Sequence, residues 1–196
     1  MSEEKRMIDI YEVRNAIWLG GKEYILAEDK NGKTDAPYMT CIGTRNNQLG
    51  FEMHEDILAS EDYFEIFNIF IGRLAERSKQ LSDERSGCGI SNAPLTADDC
   101  IKGGLDSDIE GKVIIIKASA LSPEYRLATH QLQLATGGFG CKPDASGRAV
   151  YCTNLYNGER YRYERYDVAG VANITRLPEW AQQKIAELKS KEEAKT

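Results

Sequence analysis

The chain has 196 residues, of which 41% are hydrophobic and 29% are charged, and this size allows one good core or two small ones. No apolar run approaches the length of about 18 residues that a membrane-spanning helix needs. The N-terminal stretch MSEEKRMIDI also lacks the apolar segment of a signal peptide, so we expect a cytoplasmic protein without membrane contacts.

The formal net charge of −6 is unevenly distributed. Residues 1–112 hold 13 basic and 22 acidic residues (−9), whereas residues 113–177 hold 8 basic and 5 acidic residues (+3). An acidic front half repels nucleic-acid phosphates, but the positive segment can contact them. Nucleic acid therefore stays a possible partner of the second half only.

Cysteine and histidine usage argues against a metal site. The 5 cysteines contain no C-x-x-C pair and the chain has only 2 histidines, so a zinc site would need ligands from distant segments. We expect reduced thiols, no structural zinc and no cofactor.

The first 81 residues read as a helix-hairpin-helix segment. Apolar residues at helical spacing predict a short helix over Met7–Leu19 that ends at Gly20-Gly21. The stretches EYILAED and APYMTCIG predict two strands around the turn at Asn31-Gly32, and QLGFEMHED predicts a third strand.

The longest helical pattern, SEDYFEIFNIFIGRLAERSKQL, begins at Ser60, which we expect to cap the helix. Its wide apolar stripe, with Tyr63, Phe67, Phe70, Ile71 and Leu74 at helical steps, predicts a core helix. Residues 82–112 lack periodicity and predict a linker or an elaborated loop. Their carboxylates do not follow the order of a calcium loop, so a solvated segment is expected.

Residues 113–177 read as an antiparallel β domain. Strands are predicted in VIIIKAS, HQLQLAT and RAVYCT, and a hairpin in LYNGERYRYERY turns at Asn157-Gly158. Short connections favour a small barrel or a curled sheet. Residues 178–196 predict a helix that docks through Trp180. The predicted fold class is thus α+β, with a mixed N-terminal segment, a long core helix and a C-terminal β domain closed by a terminal helix.

The stretch LATGGFGCKPDASG raises the question of a phosphate-binding loop. Such loops lead into the N-terminus of a helix, but here a strand is predicted to follow, and Lys142 precedes a proline. We therefore predict that the glycines serve the backbone conformation and that residues 144–147 form a turn. Phe139 stands among the glycines, where an aromatic ring can contact a partner.

The other prominent feature is ERYRYERY, residues 159–166. On a strand, Tyr161 and Tyr163 would share one face with Arg165. Alternating arginine and tyrosine suits an ordinary sheet surface, a nucleic-acid surface or a protein interface, and these alternatives stay open. The candidate binding residues are Phe139, Arg160, Tyr161, Arg162, Tyr163 and Arg165.

Catalysis would need a Cys–His pair, with His130 as the base and Cys141 or Cys152 as the nucleophile. Cys152 is expected to be buried and inert if Val150 lies in the core, which leaves Cys141 as the thiol to test. The carboxylates of the front half lie in no apolar setting that would raise a pKa. We expect a protein that is not an enzyme.

One stretch resembles a known group of sequences through four motifs: L-A-T-G-G-F-G-C, P-x-A-x-G-x-A-V, C-T-x-L-x-x-G-E and a closing L-P-x-W-A. Over roughly residues 113–186 they are similar to a domain of uncharacterised proteins carried on integrative conjugative elements and phage-like islands of gut Firmicutes. The resemblance implies an accessory protein of a mobile element and carries no catalytic residues.

Accessory proteins of mobile elements include antirestriction and anti-CRISPR proteins. The resemblance and the acidic front half therefore lead us to expect an inhibitor that binds a host defence nuclease, such as Cas9 or a restriction enzyme, or its nucleoprotein complex. The alternative is a nucleic-acid-binding accessory factor of element transfer or regulation.

Overall fold

The computed structural model describes residues 5–44, 52–143 and 148–193. The chain divides into two compact units, Met1–Cys88 and Gly89–Thr196. Each unit contains a five-stranded antiparallel sheet, and one of the sheets curls into a half-barrel. With a 25-residue helix in the first unit and a C-terminal helix in the second, the predicted α+β class is confirmed.

The first sheet has the strand order β1-β2-β3-β4-β5, so neighbouring strands follow one another along the chain. Its strands are β1 (Met7–Ile8), β2 (Tyr11–Leu19), β3 (Lys22–Glu28), β4 (Tyr38–Thr44) and β5 (Met53–Ser60). The predicted pair of strands around Asn31-Gly32 is confirmed as β3 and β4. The third predicted strand is present as β5, and the beginning of its predicted stretch, residues 48–51, lies outside the described residues.

The prediction of a helix over Met7–Leu19 is wrong, because this stretch forms β1 and β2. Gly20 and Gly21 have φ angles of 63° and 77°, and Leu19 pairs with Lys22 across them. Positive φ at both central residues is the signature of a two-residue hairpin turn, not of a helix end. Val13 packs against buried residues of β3 and β4, so tertiary burial decides in favour of the strand.

Helix α1 (Tyr63–Gly87) packs on one face of this sheet. Its N-cap is Asp62, whose side chain accepts hydrogen bonds from the backbone NH groups of Phe64 and Glu65, whereas the predicted cap Ser60 is the last residue of β5. Ile66 and Phe70 are buried against Tyr24, Leu26 and Ile42. The apolar stripe is narrower than predicted, since Ile71 is 45% exposed.

The second sheet has the order β10-β6-β7-β8-β9. Its strands are β6 (Val113–Ile116), β7 (Leu132–Gly137), β8 (Ala149–Asn154), β9 (Arg160–Glu164) and β10 (Val168–Val171). The hairpin around Asn157-Gly158 is confirmed as β8 and β9, while β10 was not predicted. A four-residue helix, α2 (Ala128–Gln131), occupies the start of the strand predicted over HQLQLAT.

The C-terminal helix α3 (Glu179–Glu193) packs on one face of the second sheet. Ala181 and Ile185 are buried there with Ile115 and Leu132, and Trp180 packs against the same cluster as predicted. The opposite face has its own buried cluster, in which Ile114, Ile116, Val150 and Cys152 meet residues outside the sheet. This two-sided burial explains why β6 is apolar throughout.

The stretch predicted as a linker, residues 82–112, has two parts in the structure. Its first residues complete α1, and the residues from Gly89 onward belong to the second unit. Leu95 and Ile109 lie in the core of that unit. The buried side chain of Gln131 accepts a hydrogen bond from the Leu95 NH at 2.7 Å and donates one to the Leu95 carbonyl at 3.0 Å. No helix among the described residues is long and apolar enough to span a membrane.

Candidate functional site

The glycine loop leaves β7 at Gly137 and forms a single 3-10 turn over Phe139–Cys141. Gly138 has a φ of +103°, and a Cβ atom there would lie 2.4 Å from the carbonyl oxygen of Ala149. The next element in the described part of the chain is strand β8, as predicted. The glycines thus allow a close backbone approach, and the predicted turn over residues 144–147 lies outside the described residues.

Arg165 holds this loop from inside the protein. Arg165 is the first residue of the 3-10 turn that follows β9, and it is only 7% exposed. The guanidinium donates hydrogen bonds to the carbonyls of Gly140 (2.9 Å) and Cys141 (3.2 Å), and to that of Leu105 (2.8 Å). Arg165 therefore does not share a solvent-facing surface with Tyr161 and Tyr163, and its contacts are those of a support for the loop.

The strand register divides the other predicted residues between two faces. Arg162 lies opposite Tyr151, and Arg160 lies opposite Thr153. Because side chains alternate along a strand, these four residues share one face of the β8–β9 hairpin. Leu134 on β7 pairs with Thr153, so Leu134 lies on the same face. Leu134 and Thr153 line a cavity together with residues of α3, so α3 packs on this face too.

Tyr161 and Tyr163 lie on the opposite face of the hairpin. Their rings stack with centroids 6.1 Å apart, and Tyr163 packs against the buried cluster on that side. The Tyr161 hydroxyl donates to Glu159 at 2.6 Å. Burial, aided by this hydrogen bond, raises the pKa of Tyr161 to about 12, and burial also raises the pKa of Tyr163. Both tyrosines are held mainly by contacts within the protein.

An open groove of about 660 Å³ lies between the glycine loop and the hairpin, on the Arg162 face. Phe139 is 81% exposed and Tyr151 is 53% exposed, so two aromatic rings are available to a ligand. We call this cavity the aromatic–basic groove; its lining residues are Gly138, Phe139, Lys142, Arg148, Ala149, Tyr151, Arg162 and Glu164.

The groove carries more positive than negative charge. Arg162 pairs with Glu164 at 2.5 Å, and Lys142 pairs with Asp108, which raises the pKa of the Lys142 ammonium group. Arg148 adds an exposed guanidinium at the groove. Both ion pairs are solvent-exposed, so an anionic ligand can compete for these cations at small cost.

Sequence reasoning placed Phe139 and Arg162 at a binding surface but missed Tyr151, Arg148 and Lys142 as their neighbours. One signal was available for Tyr151: the alternation that directs Val150 and Cys152 into the core directs Tyr151 outward. Lys142 and Arg148 reach the groove only because the loop folds back over β8, which no local pattern indicates.

The candidate catalytic residues Cys141, Cys152 and His130 do not line the aromatic–basic groove. The Cys141 thiol is buried, its pKa is raised by that burial, and it donates to the Gly137 carbonyl at 3.2 Å. Burial raises the pKa of Cys152 to about 12. His130 stacks on Tyr125 with ring centroids 4.6 Å apart, and its Nδ1 lies 3.2 Å from the Thr129 hydroxyl. Burial of both thiols disfavours the thiolate, which is the nucleophilic form of cysteine.

Within the described ranges, no group of three or more His, Cys, Asp or Glu side chains is arranged to hold a metal ion. Comparison of the chain with protein-family models, with curated proteins and with solved structures found no match. The aromatic–basic groove is the candidate functional site in the described part of the chain.

Proposed function

We propose that the protein is a non-enzymatic nucleic-acid-binding accessory factor of a mobile genetic element, and that it binds through the aromatic–basic groove. The observation that carries this proposal is the presence of Phe139 and Tyr151 in one open groove with Arg148 and Arg162. Nucleic-acid surfaces combine these same groups, because rings stack on bases and guanidinium groups bind phosphates.

The geometry favours a polyanion over a small anion. The groove is open, and its cations are spread over the loop, the entry of β8 and the edge strand β9. Spread cations match a chain of phosphates, whereas a single phosphate is bound by converging donors. The buried Arg165 lies beneath the loop and adds a positive charge below this surface.

A second candidate function is inhibition of a host defence nuclease, and the charge of the first unit favours it. Residues 1–88 hold 11 basic and 17 acidic residues (−6), whereas residues 89–196 hold 14 of each (0). An acidic unit can occupy the positively charged nucleic-acid channel of a nuclease, while the aromatic–basic groove binds nucleic acid in the same complex. Free nucleic acid would then bind weakly.

The test is fluorescence anisotropy with labelled DNA and RNA oligonucleotides over a range of salt concentrations. We expect salt-dependent binding that Tyr151→Ala weakens about tenfold. Arg162→Ala should reduce the slope of log K against log salt by about 0.7 to 0.9. Tyr166→Ala is the matched control, since Tyr166 is 60% exposed and does not line the groove.

If the protein bound neither free DNA nor free RNA, the first candidate function, nucleic-acid binding, would be contradicted. The same protein is then added to purified Cas9–guide RNA complex and to a restriction endonuclease. Loss of cleavage would support the inhibitor, and unchanged cleavage in both assays would contradict it.

A further inference from the structure

We infer that the ligand of the aromatic–basic groove is single-stranded, and that its path continues across the hairpin to helix α3. This inference rests on the proposed function and specifies the form and the course of the nucleic acid. It follows from a second cavity on the same face of the second sheet.

The second cavity, of about 260 Å³, lies where α3 meets β8 and the turn that follows it. Thr153 and Tyr156 line it from the hairpin, and Lys184 and Leu188 line it from α3. We call it the α3 cavity. The Thr153–Arg160 pair lies next to the Tyr151–Arg162 pair on the same face. Because Thr153 lines the α3 cavity and Tyr151 lines the aromatic–basic groove, the two cavities are neighbours on this face.

The two cavities together present three exposed aromatic rings on one surface. Phe139 is 81% exposed, Tyr151 is 53% exposed and Tyr156 is 44% exposed. The Tyr156 ring is held by an edge contact to Trp180, with centroids 5.5 Å apart. Rings that are held by packing lose little entropy when a base stacks on them.

Positive side chains accompany the rings along the same surface. Arg148 and Arg162 line the groove, Arg160 pairs with Thr153 on the same face, and Lys184 stands on α3. The Lys184 side chain is 49% exposed, and its ion pair with Glu187 is long at 3.6 Å. Lys184 can therefore exchange this pair for a phosphate at small cost.

This arrangement suits unstacked bases and not a duplex. Double-stranded DNA hides its base faces and is read through its grooves by a protruding helix or ribbon. Here Tyr151 lies on the sheet surface, with Phe139 in the glycine loop at one end and Tyr156 beside α3 at the other. Only a strand with exposed bases can stack on them while its phosphates meet the neighbouring cations. This chemistry is common to single-stranded DNA and RNA, so both are tested.

The experiment compares single strands of increasing length with duplexes of the same sequences. We expect single strands to bind at least tenfold more tightly than the duplexes, with an affinity that rises until the strand spans both cavities. Lys184→Glu should weaken the long strands about tenfold and leave the shortest binding strand unchanged. Lys102→Glu is the matched control, because Lys102 is exposed in the same unit and lines neither cavity.

A strand with 2-aminopurine provides a second measurement. We expect its fluorescence to fall on binding, because the base stacks on a ring, and this quenching should be weaker in Tyr151→Leu, which keeps Phe139 and Tyr156. Equal affinity for duplex and single strand, or an equal effect of Lys184→Glu at every length, would overturn the inference and leave the proposed nucleic-acid binding in place. Absence of all binding would remove both.

Discussion

The guanidinium group of Arg165 donates a hydrogen bond of 2.9 Å to the carbonyl oxygen of Gly140, from a position that is only 7% exposed. This contact joins the end of β9 to the glycine loop, 25 residues earlier in the chain. It explains how a loop with several glycines presents Phe139 in a defined position. Arg165 thus adds to the hydrogen bonds that the loop makes within itself, such as the one from the Cys141 thiol to the Gly137 carbonyl.

Arg165→Met is expected to lower the free energy of unfolding of the second unit by about 2 to 4 kcal/mol, because buried carbonyl groups lose a charged donor. Urea unfolding followed by Trp180 fluorescence in a Trp18→Phe background measures this, since these are the 2 tryptophans of the chain. Arg162→Met is the control at an exposed position and should cost less than about 1 kcal/mol. Equal effects of the two substitutions would contradict the supporting role of Arg165.

The glycine loop itself offers a second prediction, based on two glycines of the second unit with positive φ. At Gly158 (φ +76°) a Cβ atom meets nothing within 4 Å, whereas at Gly138 (φ +103°) it lies 2.4 Å from a carbonyl oxygen. Gly158→Ala should cost about 1 kcal/mol through backbone strain alone. Gly138→Ala should cost clearly more, because the close approach to β8 is lost as well. The same urea assay tests this order, and a reversed order would refute the role assigned to Gly138.

Gln131 provides a third prediction, about the segment after α1. Its buried amide bonds both backbone groups of Leu95 and also donates to the Ile116 carbonyl at 3.0 Å. Gln131→Leu leaves these groups without a partner and should cost about 2 to 4 kcal/mol. Hydrogen exchange should accelerate at the Leu95 amide. The control is Gln183→Leu on the exposed side of α3. If exchange at the Leu95 amide stayed slow in Gln131→Leu, Gln131 would not anchor the segment around Leu95.

A fourth prediction concerns alkaline pH. Burial raises the pKa of Cys152 from its ordinary value of 9.0 to about 12. The unfolded chain therefore releases the thiol proton at a lower pH than the folded protein does. This contribution to stability is complete below pH 9.0 and is lost progressively as the pH rises through about 12.

Cys152→Val keeps an apolar side chain at this position and removes the titrating thiol. The variant should lose less stability than the parent protein between neutral and alkaline pH. Urea unfolding at several pH values, with Trp180 as the reporter, measures the difference. If the free energy of unfolding fell equally with pH in the two proteins, the buried thiol would not contribute to the pH dependence of stability.

The second unit follows its sequence pattern more closely than the first. The hairpin at Asn157-Gly158 and the strand after the glycine loop lie where local signals predict them, because turn residues and alternation act over a few positions. In the first unit, Val13 and Ile17 occur at helical spacing and yet lie on β2. There tertiary contacts outweigh the helical pattern, because Val13 packs against buried residues of β3 and β4 when it lies in the sheet.

The candidate site shows the same division between local and distant information. The sequence by itself determined the α+β class, the hairpins at Asn31-Gly32 and Asn157-Gly158, and the alternation that directs Arg162 and Tyr163 to opposite faces. Period-two patterns and the turn chemistry of Asn-Gly are local properties. Tertiary structure alone decided that Arg165 is buried, that Tyr151 and Arg148 join Phe139, and that α3 flanks the same surface. These relationships depend on strand order and on contacts between residues far apart in the chain. Such contacts cannot be predicted from the spacing of neighbouring residues.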